Sequence, residues 1–345
     1  MKKLAMILAV AGLILAASGT AQAVDIELVT VGNPGNVGDT HGAGYGAVDY
    51  AYNIGKYEVT AGQYREFLSA VAGVDTYGLY NTNMWSSSYG CKIERFAGSG
   101  TGGDPYQYQV AADWANRPVN FVSFWDACPF ANWLHNGQGS GDTETGAYTL
   151  TPGGIDDNTI TRNADWKWAV TSEDEWYKAA YHKNDGLTGD YFDYPTSSDS
   201  VPSNDLTTPD GGNNANFWQD GGYTVGGPYY RTPVGEFELS ESPYGTFDQG
   251  GNVREWNEAG VGSAYRYQRG GEFAFYAGLP YDDYLLRAVA RGAFLPTDEG
   301  TLVGFRVVPE PAAMSVLALG ACLPLLRRKP GRQGLGMLIR RKRRA

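Results

Sequence analysis

The sequence predicts one α+β domain, mixed and rich in loops, lying between two segments that serve export. Three observations carry this. The chain of 345 residues holds 47 glycines beside 24 Tyr, 13 Phe and 9 Trp, against a usual glycine share of roughly 7%. Large rings among flexible backbone describe a fold whose side chains pin irregular chain, and they argue against a helix bundle. Only three stretches carry helical periodicity. The rest is short apolar runs between long tracts of Gly, Ser, Asn and Asp.

At the start, residues 1–23 read MKKLAMILAVAGLILAASGTAQA. Lys2–Lys3, an apolar run from Leu4 to Ala17 and the small-residue site Ala21-Gln22-Ala23 compose a secretory signal peptide, with cleavage expected before Val24. The run is shorter than the roughly 20 residues of a spanning helix, which disfavours a membrane anchor.

Along the body, 24–48 reads as short strands and turns around Asn33–Asn36. The GAGYG at Gly42–Gly46 lacks the strand and helix that would make it a nucleotide site. A first helix opens with the capping box Thr60-x-x-Gln63 and places Tyr64, Phe67, Leu68 and Val71 on one face. A second begins near Ser123-x-x-Asp126 and carries Ala127, Phe130, Ala131 and Leu134. Pro129 lacks an N–H for an internal bond, so this helix is expected to kink there or start later. A third opens with Ser172-x-x-Glu175 and turns Trp176, Ala179 and Ala180 inward. The tracts 84–114 and 190–227 are long for loops in a compact domain, and such loops are usually functional or metal-braced. Neither an internal repeat nor a linker is visible, so 24–308 reads as one domain.

The tail, residues 309–345, resembles the PEP-CTERM sorting signal of Gram-negative bacteria. The box is Val308-Pro309-Glu310-Pro311, the apolar segment is Ala312–Leu326, and Arg327, Arg328 and Lys329 follow. A short apolar segment with a basic end can be held transiently in a membrane, its basic end cytoplasmic. The resemblance implies an exosortase partner, removal of the tail and delivery to the cell surface, outer envelope or extracellular matrix. The residues beyond Lys329 depart from that pattern.

Of 27 Lys and Arg, the signal holds 2 and the tail 9, leaving 16 on the body against 37 Asp and Glu, a formal charge of −21. Such a surface repels nucleic acid and favours solubility and divalent cations. Of the three cysteines, Cys322 lies in the tail. Cys91 and Cys128 face an oxidising compartment, where they form one disulfide or remain thiols. His41, His135 and His182 follow no ligand spacing, and no Ser-His-Asp set is apparent. Asp282–Asp283 is a candidate carboxylate pair, but adjacent loop acids are far more often solvated or cation-binding.

In order, the landmarks are IGKYEVTAGQYREFLSAV, RPVNFVSFWDACPFANWL, WAVTSEDEWYKAAY, ANFW, TPVG, YGTFDQGGNVREW, RGGEF, LLRAVARGAF and GFRVV. Together they resemble the sulfatase-modifying-factor family, whose founding activity is the formylglycine-generating enzyme, from about Ile54 to Val308. The resemblance implies a mixed domain of the formylglycine-generating-enzyme type, related to the C-type lectin fold, with bound calcium. Its Gly-Asn-x-x-Glu-Trp motif falls on Gly251, Asn252, Glu255 and Trp256. The calcium ligands it implies are the side chains of Asp248 and Glu255 and the carbonyls of Gly251 and Val253. The alternative for Glu255 is a salt bridge to Arg287, Arg291 or Arg306. A second, weaker site would start at Asn216 and the carbonyl of Phe217, but no carboxylate stands in GGYTVGGPYY where the family usually has an aspartate.

The family's enzyme oxidises a substrate cysteine with oxygen and copper(I), held by two cysteines, and thiolate is the donor copper(I) prefers. Here the two positions fall on Phe275 and near Pro280, and no cysteine lies between Cys128 and Cys322. The copper site as known in the family cannot be built. The ergothioneine-type relatives bind iron through a helical domain that this chain lacks. The expected function is an exported ligand-binding or structural module without catalysis, with calcium as its structural cofactor. Phe273, Phe275, Tyr276, Tyr281 and Tyr284 would line a groove for a glycan or peptide, or else fill core beneath the loops. The alternative is a formylglycine-type oxidase with different ligands.

Overall fold

The computed structural model describes residues 23–42, 44–207, 209–274 and 282–311. The signal peptide up to Gln22, the apolar tail from Ala312, and the groove candidates Phe275, Tyr276 and Tyr281 lie outside the described residues. The described residues through Pro311 form one compact unit.

Helix α1 spans Ala61–Val71. Its capping box is complete: the Gln63 N–H donates to Thr60 Oγ1 at 3.2 Å, and the Thr60 N–H donates to Gln63 Oε1 at 2.9 Å. Tyr64, Phe67 and Leu68 are buried, and Val71 at the fraying end is half-buried. Helix α2 spans Phe124–His135, capped by Ser123 and Asp126. It does not start late, and Pro129 lies inside it. The lost N–H bond is offset by burial, because every residue from Phe124 to Leu134 is in the core. Helix α3, Glu173–Tyr181, is capped by Ser172 and Glu175 and buries Trp176, Ala179 and Ala180 completely.

Among the described residues there are ten short strands: β1 (Leu28–Val31), β2 (Tyr52–Gly55), β3 (Ile93–Ala97), β4 (Gln107–Val110), β5 (Trp168–Val170), β6 (Arg254–Val261), β7 (Tyr265–Arg269), β8 (Gly292–Phe294), β9 (Val303–Phe305) and β10 (Val307–Pro309). β1–β2, β3–β4 and β5–β10 are two-stranded antiparallel pairs. The larger sheet has the order β8-β7-β6-β9, with β9 parallel to β6. A parallel neighbour needs a long return. Here that return runs through β7, β8 and the loops around them.

Aromatic packing joins the helices to the larger sheet. Phe130 of α2 meets Phe67 of α1 and Phe305 of β9, each at 5.4 Å between ring centroids. The same core holds both cysteines of the body. Cys91 and Cys128 are free thiols, both fully buried. Cys91 Sγ lies 3.9 Å from the Asn120 carbonyl, whereas Cys128 is one of the buried residues of α2. Each packs as a small apolar residue, and burial pushes both thiols up.

Candidate ligand-binding face and the carboxylate cluster behind it

The stretch DQGGNVREW, Asp248–Trp256, leads directly into β6. Asp248 and Asn252 adopt left-handed backbone, with φ of 61° and 55°. Gly251 has φ +96°, and a Cβ there would sit 2.3 Å from the Asn216 carbonyl oxygen. No other residue fits that approach. The turn is a junction for distant segments. The Gly251 N–H donates to Gly270 O at 2.6 Å, and the Asn252 N–H to Asn216 O at 2.8 Å. Asn252 Oδ1 accepts from Asn216 Nδ2 at 2.8 Å and from the Thr232 N–H at 3.0 Å. Trp256 is fully buried and donates to Val122 O at 3.0 Å.

Glu255 is the counter-ion of Arg306. Its two oxygens accept from Arg306 Nε and Nη2, both at 2.7 Å, and Oε2 also accepts from Trp176 Nε1 at 2.8 Å. All three side chains are fully buried. Arg306 spends its remaining donors on the carbonyls of Gly55, Lys56 and Phe247. Asp248 accepts the Gly235 N–H through Oδ2 at 2.6 Å, and burial pushes its carboxyl up to about 6. A residue that sequence reasoning missed, Glu58, belongs to the same cluster. It is 2% exposed, and neither carboxylate oxygen has a hydrogen-bond partner. Burial, then the charges of Asp248 and Glu255, push it well above the usual carboxylate range. Its only sequence signal was a lone acid within KYEVT.

Calcium takes six to eight oxygens. Among the described residues no three Asp, Glu, His or Cys side chains form a metal cage. Glu255, committed to Arg306 and Trp176, does not fit as a ligand. Glu58 keeps both oxygens unpartnered, and Asp248 is its neighbouring carboxylate. At the weaker position, Asn216 Oδ1 is buried without a partner. The Phe217 carbonyl, however, already accepts from Asn204 and Thr224, each at 3.2 Å. Asp282 and Asp283 are separately employed. Asp283 accepts from Tyr194 at 2.5 Å and Arg287 at 2.7 Å, and Asp282 accepts the Asp220 N–H at 3.0 Å.

On the other side of the turn, the two long loops converge. Tyr89 comes from the first, and Trp218 and Tyr223 from the second. With Tyr230 and Phe273 they form a run of rings. Trp218–Tyr223 is 4.7 Å, Tyr223–Tyr230 5.1 Å, Tyr230–Tyr89 4.7 Å and Tyr89–Phe273 5.9 Å between centroids. The first four are half-buried and Phe273 is fully buried. Tyr230 has φ +58°, a rare conformation for a bulky residue, and is held there by Asn216 Nδ2 donating to its carbonyl at 3.0 Å. Beneath lies Arg231, fully buried, its guanidinium 5.6 Å from the Phe273 ring. Of the residues expected to line a groove or fill core, Phe273 is fully buried against Tyr89 and Tyr230, and Tyr284 sits half-buried in the turn Tyr284–Leu286.

The sulfatase-modifying factor enzyme 1-like (FGE-sulfatase) domain matches residues 33–311. The chain belongs to this family. Its mixed, helix-poor and strand-poor single domain is the sulfatase-modifying-factor fold. Among solved structures, CarF is similar at 22% identity and TM-score 0.48, covering 83% of this chain and 98% of its own. Treponema denticola variable protein 1 is similar at 17% identity and TM-score 0.46, covering 85% and 98%. PvdO from Pseudomonas aeruginosa is similar at 21% identity and TM-score 0.42, covering 83% and 92%. No curated protein matches the sequence.

Proposed function

We propose that this sulfatase-modifying-factor domain is an exported surface or matrix module that binds a glycan or peptide on the aromatic face and does not oxidise cysteine. One observation carries the reading: four half-buried rings, Trp218, Tyr223, Tyr230 and Tyr89, are gathered from separate loops, with Tyr230 held in costly backbone at their centre. Strain of this kind clusters where a side chain must be presented, and rings with a polar edge suit sugars and peptides. The missing cysteines at Phe275 and Pro280 support the absence of copper chemistry. The signal sequence and the PEP-CTERM-like tail support export, handling by an exosortase and a place on the cell surface or in its matrix. In this reading calcium is structural and braces the loop at Asp248.

A glycan and peptide array probed with the purified protein tests the proposal. Binding should appear, and Tyr230→Ala or Tyr89→Ala should weaken it about tenfold, as expected for an aromatic anchor, while the protein stays folded. Silence across the array, or binding indifferent to both substitutions, contradicts it.

A further inference from the structure

We infer that the aromatic face takes a peptide that inserts one carboxylate between its rings, and that the buried Arg231 is the group that receives it. The inference rests on the reading of this face as a binding site and names the chemistry of its ligand.

The first argument is the guanidinium itself. Arg231 is fully buried. Its Nη1 donates to Tyr89 O at 2.7 Å, whereas Nε and Nη2 have no hydrogen-bond partner. Those two nitrogens share one edge of the guanidinium and form the fork that grips a carboxylate by two parallel bonds. The same molecule fills that fork elsewhere. Arg306 meets Glu255 through Nε and Nη2, both at 2.7 Å. Arg269 meets Glu173 through Nε at 2.6 Å and Nη2 at 2.5 Å. A donor pair buried this deeply and unmatched by the chain calls for a partner from outside it.

Charge is the second argument. Burial pushes Arg231 down to about 10, which leaves it charged at neutral pH. Among the described residues, the titratable groups that act on it are the Cys91 thiol and a second guanidinium, Arg117, and no carboxylate does. Arg117 donates through Nη1 to the Arg231 carbonyl. Lys92 adds a third positive charge nearby, its ammonium held by the carbonyls of Ser87 at 2.5 Å and Trp85 at 3.0 Å. Buried charge is costly unless it is paired, so this corner is built to accept one anion.

Shape is the third, and it favours a peptide over an acidic glycan. Phe273 packs over the Arg231 guanidinium at 5.6 Å, and Tyr89 and Tyr230 pack on Phe273 at 5.9 and 6.0 Å. Tyr89 and Tyr230 stand on loops, so their rings can part without breaking a helix or a sheet. The carboxylate of an Asp or Glu side chain, or of a chain terminus, is slim enough to pass them. That of a uronic acid is fixed to a hydroxylated ring, which would have to follow it inward. A polyuronate would also meet the formal charge of −21 on residues 24–308, which repels a polyanion.

The test uses the purified full chain and an array of peptides. Each is present with a free C-terminus, with a C-terminal amide, and with its Asp and Glu replaced by Asn and Gln, beside neutral and uronic-acid oligosaccharides. Wild type should bind peptides that lose affinity about thirtyfold or more when one carboxylate is removed, the size expected for breaking a buried charge pair. Loss on amidation assigns a chain terminus, and loss on side-chain replacement assigns an acidic residue. Arg231→Gln should weaken the parent peptide by a similar factor and leave the carboxylate-free peptide unaffected, which a merely structural role would not do. Binding that needs Tyr230 yet ignores both the carboxylate and Arg231→Gln overturns the inference and leaves the binding face standing. Preference for uronic-acid oligosaccharides overturns the choice of peptide. Silence across peptides and oligosaccharides refutes the binding face, and the inference with it. If Arg231→Gln fails to fold, wild type alone decides: carboxylate-free peptides bound as tightly as their parents overturn the assignment.

Discussion

At the residue scale, the decisive contacts are buried charges. Removing one partner of a buried ion pair leaves the other uncompensated and costs about 3–5 kcal/mol. Arg306→Leu should therefore destabilise the domain by about that amount in urea denaturation, and the double variant Arg306→Leu, Glu255→Leu should recover part of it. A loss below about 1 kcal/mol would remove Arg306 from its central place, since that is the range of exposed pairs. The motif Gly-Asn-x-x-Glu-Trp made Gly251, Asn252, Glu255 and Trp256 stand out in the sequence, with Asp248 three residues ahead of it. It left open whether Glu255 serves a cation or an arginine. Arg306 was one of three arginines weighed, and the choice depended on β9 pairing with β6, a contact between segments about fifty residues apart. Glu58 had no such mark, because an acid beside a strand end is usually solvated.

At the scale of elements, the helix starts were legible because capping is local: Thr60, Ser123 and Ser172 each bond within three residues. The continuation of α2 through Pro129 was not, because it depends on what surrounds the helix rather than on its own sequence. The same helix start has a pH signature. Asp126 is pushed up to about 7, chiefly by burial. Glu299, from the loop ahead of β9, reaches the same carboxyl and is raised by burial too. An unfolded aspartate titrates near 3.9. Between roughly pH 4 and 7 the folded chain therefore keeps a proton that the unfolded chain has lost, so this contribution is full below the unfolded value and vanishes as pH rises through the folded one. Relative to Asp126→Asn, the wild type should lose melting temperature across that window. Parallel curves would show that the carboxyl does not titrate there. The aromatic face was only half legible for a related reason. Its loops were conspicuous by composition, but 24 tyrosines offered no local way to single out Tyr89, Tyr223 and Tyr230, whose meeting depends on the path of two long loops.

At the scale of the whole molecule, family membership fixes the fold and leaves the chemistry to particular side chains, since sites are grafted on folds. This chain keeps the motif that shapes the domain and lacks the thiolate pair from which the family's oxidase is built. Residues 24–308 carry a formal charge of −21. On the proposed reading the domain serves binding through its gathered rings, Trp218, Tyr223, Tyr230 and Tyr89. The most direct measurement is the mass of a cysteine-containing peptide incubated with the purified protein, copper(I) and oxygen. The account predicts an unchanged cysteine, with a copper-loaded formylglycine-generating enzyme as the positive control. Conversion of that cysteine to formylglycine would contradict it.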